Sequence, residues 1–246
     1  MLKREECPLC GAPADEAIHL VTSREGYELF RCPACGVVYS KVYLDDDRIF
    51  AIYDEDYARH WEQEFLIKQN RGYADRFFGE RERGRLLEVG CGTGQFLRRL
   101  KELGYDVRGV EVSLDLAKYA ADLDVKVMPF EKMRVPPPVA RFDYVVTFHV
   151  LEHFVDSVAA VQRIAKMLKP DGVWFNYMPN VAVAMGNDGA HGSGWIHFNP
   201  SRLEHLTFFD EKTIRVLADK AGLEVYLVDS ENDDFWSEAR LRKSDG

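Results

Sequence analysis

The glycine-rich stretch that decides the fold is Arg85-Leu86-Leu87-Glu88-Val89-Gly90-Cys91-Gly92-Thr93-Gly94-Gln95-Phe96-Leu97. Its first five residues predict a buried parallel strand, and the residues from Gln95 onward predict a helix over 95–103 that ends at Gly104. The three alternating glycines carry no Cβ, so they allow a sharp backbone turn and the close approach of a ligand. The stretch therefore predicts a strand–turn–helix unit with a ligand at the turn.

Two common classes of glycine loop do not match this stretch. The dinucleotide-binding fingerprint needs a glycine where the chain has Gln95, and a phosphate-binding P-loop would need a lysine. The second predicted strand, residues 106–111, ends in Glu111, roughly 20 residues after Gly90, where a carboxylate can accept both hydroxyls of a ribose. We expect the fold to survive loss of this acid, because acids at strand ends are rarely part of a core.

Five motifs, in the same order, resemble those of class I S-adenosylmethionine-dependent methyltransferases, and the LEH of the fourth is typical of ubiquinone-biosynthesis-like members. The motifs cover residues 87–94, 109–113, 141–146, 149–153 and 168–173. Two later segments, residues 205–209 and 221–225, resemble the family's final helix and strand. The resemblance implies an α/β fold, with a Rossmann-like seven-stranded sheet covered by helices on both faces.

The resemblance also implies S-adenosylmethionine as the cofactor and identifies residues that would bind it. The loop and Glu88 would hold the methionine part, Glu111 the ribose, and Val112 and Phe130 the adenine, whereas two residues at the end of the fourth strand would lie near the sulfonium. The complete set is Glu88, Gly90, Cys91, Gly92, Gly94, Glu111, Val112, Phe130, Phe148 and His149.

Three histidines are candidates for the catalytic base. An acceptor hydroxyl must lose a proton as it attacks the methyl group, and histidine is suited to accept it near neutral pH. His153 is the first choice, and His149 or His197 could act instead; each could also be a packing residue. His197 follows a glycine-rich loop, residues 186–194, in a segment whose Trp, His and Asn side chains suit a small polar or cyclic acceptor.

Four of the five cysteines form two CPxCG knuckles near the N-terminus. Cys7 and Cys10 belong to the first, and Cys32 and Cys35 to the second. Each knuckle aims two thiolates at one point, so the pair predicts a tetrahedral site for structural Zn²⁺. Iron is the main rival metal. A disulfide pair is the competing interpretation, which reducing conditions oppose.

The chain divides into three predicted segments. Residues 1–45 form a small zinc ribbon, 46–84 a helical bridge or lid, and 85–246 the methyltransferase domain. An aromatic residue recurs every four positions along the bridge, which predicts a stripe on one helical face. The simpler interpretation is that these aromatic side chains pack in a core. The alternative is that the segment is a lid whose side chains contact a ligand. The stripe consists of Tyr53, Tyr57, Trp61 and Phe65.

Composition restricts the partners. The chain has 246 residues and a formal net charge of −9, which argues against nucleic acid. It contains no apolar run long enough to span a bilayer and no signal-peptide pattern at its start, so we predict no membrane association and a cytoplasmic location. The oligomeric state stays open.

The predicted function is S-adenosylmethionine-dependent methylation of a small polar molecule, with O-methylation of a sugar, a phenol or a natural-product intermediate favoured. One alternative is an RNA methyltransferase that binds RNA through the ribbon. The acidic charge and the absence of a base-flipping motif weigh against this alternative. The other alternative is a protein that binds the cofactor without catalysis.

Overall fold

A computed structural model describes residues 1–22, 28–181, 204–231 and 234–242 of the chain. The predicted glycine-rich acceptor loop at 186–194 and the candidate base His197 lie outside these described residues.

The described residues form thirteen strands, numbered here in chain order. They are β1 (Leu2–Lys3), β2 (Ile18–Thr22), β3 (Glu28–Arg31), β4 (Val38–Tyr39), β5 (Val42–Tyr43), β6 (Arg85–Val89), β7 (Asp106–Glu111), β8 (Val125–Val127), β9 (Phe142–Phe148), β10 (Leu168–Pro179), β11 (Thr207–Phe208), β12 (Leu223–Glu231) and β13 (Asp234–Leu241).

The helices of the described residues are distributed between the ribbon and the strands of the large sheet. They are α1 (Asp46–Phe50), α2 (Glu55–Trp61), α3 (Glu64–Phe78), α4 (Gln95–Glu102), α5 (Leu114–Ala117), α6 (Ser157–Met167) and α7 (Glu211–Lys220). None of the described helices is long and apolar enough to cross a membrane.

The large sheet has seven strands in the order β12-β13-β10-β9-β6-β7-β8. The five strands from β10 to β8 run parallel, and β13 pairs antiparallel with both β10 and β12. The predicted seven-stranded α/β architecture is therefore confirmed. The acidic residues near the end of the sheet lie in strands, with Asp229 in β12 and Asp234 in β13. Cross-strand pairing, such as Asp229 opposite Trp236, overrides their polarity.

Helices cover both faces of this sheet, as predicted, because neighbouring strand residues point to opposite sides. On one side, Leu86 of β6 packs with α3 and α4 residues such as Phe78 and Leu97. On the other, Leu87 packs with α6 and α7 residues such as Ile164. The carboxyl ends of the parallel strands meet at one edge, where ligands bind in sheets of this kind.

The N-terminal sheet includes a strand from the far end of the sequence. Its order is β11-β4-β3-β2, in which Thr207 pairs with Tyr39 and Phe208 with Val38. Knuckle cysteines share one apolar cluster with residues of α6 and α7. The sequence motifs placed residues 205–209 near a final helix and did not indicate this pairing, because a two-residue strand is determined by its partner rather than by its own pattern.

Candidate functional site

The glycine loop between β6 and α4 forms the centre of the site. Gly90, Gly92 and Gly94 all have positive φ, at 69°, 52° and 75°, a region that side-chain-bearing residues avoid. A Cβ at Gly90 would lie 2.5 Å from Val150, and one at Gly94 would lie 2.8 Å from both Ala120 and Leu123. A Cβ on Gly92 would meet nothing within 4 Å. Gly92 therefore borders open space, whereas Gly90 and Gly94 allow close packing.

The Glu111 carboxylate fixes the shape of this loop. One oxygen accepts the backbone N–H of Gly92 at 2.8 Å. The other accepts the backbone N–H groups of Val112 and Ser113 at 2.8 and 2.9 Å. The side chain is buried, so its removal would leave these donors without their acceptor. We therefore expect loss of Glu111 to lower the stability of the fold without abolishing it.

Glu88 places a second buried carboxyl group at the same edge. Among the described residues, its Oε2 atom has no hydrogen-bond partner. Burial, with a smaller contribution from Glu111, raises the pKa of Glu88 well above its usual value. A cationic ligand group would both satisfy this carboxyl group and favour its ionised form. The residue therefore fits the ammonium of a methionine moiety.

These residues line a cavity of about 440 Å³. Nine of the ten predicted cofactor residues lie in its wall: Glu88, Gly90, Cys91, Gly92, Glu111, Val112, Phe130, Phe148 and His149. Gly94 is not in the wall and instead faces the side chains of Ala120 and Leu123. Two of the three candidate bases, His149 and His153, also face the cavity.

The aromatic stripe of the bridge does not form a closed core. Tyr53, Tyr57 and Trp61 line the cavity, and Phe65 is 61% exposed. The Tyr53 carbonyl accepts the Ser113 hydroxyl at 2.6 Å, which ties the bridge to the end of β7. The bridge thus contributes a wall to the cavity, where these three rings also pack on one another, and their contact with a ligand stays a prediction.

His149 is held in an unusual backbone conformation at the end of β9. Its φ is 50°, a left-handed value that typically costs a non-glycine residue about 1–3 kcal/mol. Its backbone N–H donates to the Tyr177 carbonyl at 2.8 Å. Its side chain is a third exposed. Strain of this kind persists where the surroundings over-determine a conformation, which is common at functional sites.

Two carboxylates flank the His149 ring. Glu152 Oε1 is 3.7 Å from Nδ1, and Asp234 Oδ2 is 3.9 Å from Nε2. Burial alone would lower the pKa of His149, but Glu152 and then Asp234 outweigh it, and the pKa lies above its usual value. His149 is therefore a stronger base than a buried, isolated imidazole.

His153 has a different environment. Its Nδ1 atom lies 3.0 Å from the Tyr53 hydroxyl, and its ring meets His205 edge to face at 4.6 Å. Burial, reinforced by His205, lowers the pKa of His153 to about 3. The ring is therefore neutral at pH 7 and a poor proton acceptor. The contacts of Tyr53 and His205 with His153 could not be predicted, because both residues come from segments that are distant in the chain.

The four knuckle cysteines converge as predicted. Cys7 and Cys35 have their sulfur atoms 3.7 Å apart, and Cys10 and Cys32 have theirs 3.5 Å apart. All five cysteines of the chain are free, so the disulfide interpretation is wrong. Four sulfurs about 2.3 Å from one tetrahedral ion would be about 3.8 Å from each other. The cluster therefore has the dimensions of a metal site.

Comparison with known sequences identifies related proteins. The sequence profile of the methyltransferase domain matches residues 58–228. The ubiquinone biosynthesis O-methyltransferase of Bradyrhizobium diazoefficiens is 37% identical over 97 residues, which cover 36% of this chain and 37% of that protein. The protein of the same name from Idiomarina loihiensis is 31% identical over 164 residues, 62% of this chain and 65% of that protein. The alignments thus span less than two thirds of these relatives.

Comparison with solved structures gives the same fold. An S-adenosylmethionine-dependent methyltransferase of Thermotoga maritima superposes with a TM-score of 0.61 at 19% sequence identity. The superposition covers 79% of this chain and 99% of that one. At this level of identity the likeness concerns the fold alone.

Two substitutions in the glycine loop should separate the cost of a positive φ from the cost of a steric conflict with neighbouring side chains. Gly94→Ala should lower the free energy of unfolding by about 2–4 kcal/mol, because it adds overpacking against Ala120 and Leu123 to an unfavourable φ. Gly92→Ala is the matched control, with positive φ but open space, and should cost only about 1–2 kcal/mol. Chemical denaturation of both variants measures the difference. Equal losses would contradict the packing role of Gly94.

Proposed function

Because the chain belongs to the class I S-adenosylmethionine-dependent methyltransferases, we propose that it transfers a methyl group from S-adenosylmethionine to an oxygen of a small polar molecule. One observation carries this proposal. A single cavity joins a loop clamped by Glu111 to His149, so a cofactor held at one end would present its methyl group toward a proton-accepting side chain.

The residues of the cavity fit the cofactor. Glu88 offers its carboxyl group to the ammonium, and Glu111 has lone pairs left for the ribose hydroxyls beyond those used by the loop. The bound cofactor would supply an electrophilic methyl group on a positively charged sulfur. Phe148, stacked on Tyr177 with ring centroids 4.5 Å apart, offers an aromatic wall that favours a nearby cation.

His149 is the better candidate for the base than His153, which was our first choice from sequence. It is the more exposed of the two rings, and Asp234 Oδ2 lies 3.9 Å from its Nε2, where it would stabilise the protonated ring, whereas burial keeps His153 a weak base. The fixed backbone at His149 would hold the ring in one direction relative to the acceptor. Proximity and orientation would then supply most of the rate enhancement.

The four cysteines would bind one structural Zn²⁺ ion. The sulfur separations support tetrahedral thiolate coordination, and zinc is the usual ion in closed four-cysteine sites. The site lies against the core that α6 and α7 form with the large sheet. The ion would therefore stabilise the ribbon and the wall of the methyltransferase core together.

A small acceptor is favoured over RNA. Two basic residues of the ribbon are already engaged: Arg4 donates to the Val155 carbonyl at 2.8 Å, and Lys41 lies over the Phe30 ring. The chain as a whole is acidic. Tight, salt-sensitive binding of the full chain to structured RNA would revive the RNA alternative.

Glu111→Ala should weaken binding of S-adenosylmethionine by about 1–3 kcal/mol, because the ribose hydroxyls lose a charged acceptor. The substitution should also lower the unfolding temperature, because three backbone N–H groups lose the carboxylate that accepts their hydrogen bonds. Calorimetry and thermal unfolding measure the two effects, with Glu111→Gln as the isosteric control. Unchanged affinity in Glu111→Ala would remove the residue from the cofactor site.

Elemental analysis of chelator-washed protein should find about one equivalent of zinc. Cys32→Ser should lose this zinc and unfold at a lower temperature, because metal binding contributes to folding. Cys91→Ser is the matched control: it changes the fifth cysteine, which lies in the glycine loop, and should keep the zinc. Iron in place of zinc, or a Cys32→Ser variant with full zinc content, would contradict the assignment.

Transfer of label from methyl-labelled S-adenosylmethionine to a panel of phenols, sugars and other hydroxyl compounds tests the activity. His149→Ala should lower turnover by about 10²–10⁴-fold, measured at a saturating concentration of the cofactor. The loss should shrink as the pH rises, because more of the acceptor is already ionised. His60→Ala, which changes an exposed histidine, should turn over normally. Normal turnover in His149→Ala would contradict a role as base, and cofactor binding with no transfer to any acceptor would favour the non-catalytic alternative.

A further inference from the structure

Glu152 is a buried carboxylate that lacks the hydrogen bonds such a group needs. Its side chain is only 3% exposed, and neither oxygen has a hydrogen-bond partner among the described residues. Burying an ionised carboxylate without hydrogen bonds or a paired charge is strongly unfavourable. His149, whose Nδ1 lies 3.7 Å from Oε1, compensates this charge only at long range, so Glu152 can still bind a cation directly.

Imidazole nitrogens surround this carboxylate at distances too long for hydrogen bonds. Oε1 lies 3.7 Å from His149 Nδ1 and 3.9 Å from His153 Nε2. Candidate ligand atoms of Glu152, His153 and His205 all lie within 4.8 Å of one another. Two atoms that bind one cation at about 2.1 Å are roughly 3.0–4.2 Å apart, depending on the coordination angle. The separation between Glu152 and His153 falls in this range.

The neighbours of His153 orient it as a metal-binding histidine is usually oriented. Its Nδ1 lies 3.0 Å from the Tyr53 hydroxyl, the Glu204 backbone also hydrogen-bonds the ring, and Nε2 lies 3.9 Å from Glu152 Oε1. Such a partner on the second nitrogen fixes the ring and its tautomer in most metal sites. The Leu206 backbone N–H donates to the Glu152 carbonyl at 2.8 Å and so keeps His205 beside the other two residues.

We propose that Glu152, His153 and His205 bind a divalent first-row transition-metal ion, at a site separate from the four cysteines. Two imidazoles and one carboxylate suit ions such as Zn²⁺, Fe²⁺ or Mn²⁺. Three protein ligands leave at least one coordination position open, as in catalytic rather than structural sites.

The open position has a consequence for the acceptor. His153 also lines the cavity, so an ion bound to it would be near the space beside His149. A hydroxyl that binds such an ion loses its proton more readily. This consequence rests on the proposed O-methylation, but the metal site itself does not.

Co²⁺ is the probe that separates the two metal sites. The full chain, chelator-washed and with its cysteine-bound metal measured, should bind one additional equivalent of Co²⁺ in equilibrium dialysis. The added ion should show the visible bands of nitrogen and oxygen ligands without the intense near-ultraviolet band of thiolates. Glu152→Gln and His205→Ala should each reduce this uptake at least tenfold, whereas the exposed-site control His60→Ala should bind like the wild type.

Thermal unfolding provides a second readout. Added Co²⁺ should raise the unfolding temperature of the wild type and of His60→Ala, because it binds the folded state. Added Co²⁺ should not change the unfolding temperature of Glu152→Gln. This variant removes a buried charge at constant shape, so we expect it to fold. Equal uptake and equal shifts in all variants, or uptake with thiolate bands only, would overturn the proposal. Neither readout needs an acceptor, so failure of methyl transfer would leave the result standing.

Discussion

One buried carboxylate connects the two ends of the site. Glu111 accepts N–H groups from Gly92 in the glycine loop and from Ser113 at the end of its own strand. The Ser113 hydroxyl donates to the Tyr53 carbonyl, and the Tyr53 hydroxyl lies at hydrogen-bond distance from His153. A continuous hydrogen-bonded path therefore runs from the cofactor loop to the histidines. Glu111 thus helps to set the position of the glycine loop relative to His153.

The ribbon is part of the same body rather than an appended module. It is too small to bury a core of its own, and structures of this size usually depend on a metal or on a partner. Here it has a partner: Cys7 and Tyr39 pack in the cluster that contains Phe209, and β4 gains β11 as a neighbour. Whatever stabilises the ribbon thus also stabilises one wall of the large domain.

Local patterns in the sequence predicted the parts of the structure that depend on local chemistry. The glycine loop, the two cysteine knuckles and the strand that ends at Glu111 each contain their own signal, and the structure places them as expected. The pairing of β11 with β4 could not be predicted, because a two-residue strand has no periodicity. The approach of His205 to His153 and the left-handed backbone of His149 could not be predicted either, because both depend on segments that are distant in the chain.

The shared sheet also constrains the order in which the chain can assemble. Strand β4 is made early in synthesis, but its partner β11 is made only after most of the large sheet. Until then, one edge of the nascent ribbon presents unpaired N–H and C=O groups, which are prone to pair with other chains. Contacts between residues so far apart also form late, because closing a long loop is entropically costly. The sheet of the ribbon can therefore be completed only after the five parallel strands of the large sheet have been synthesised.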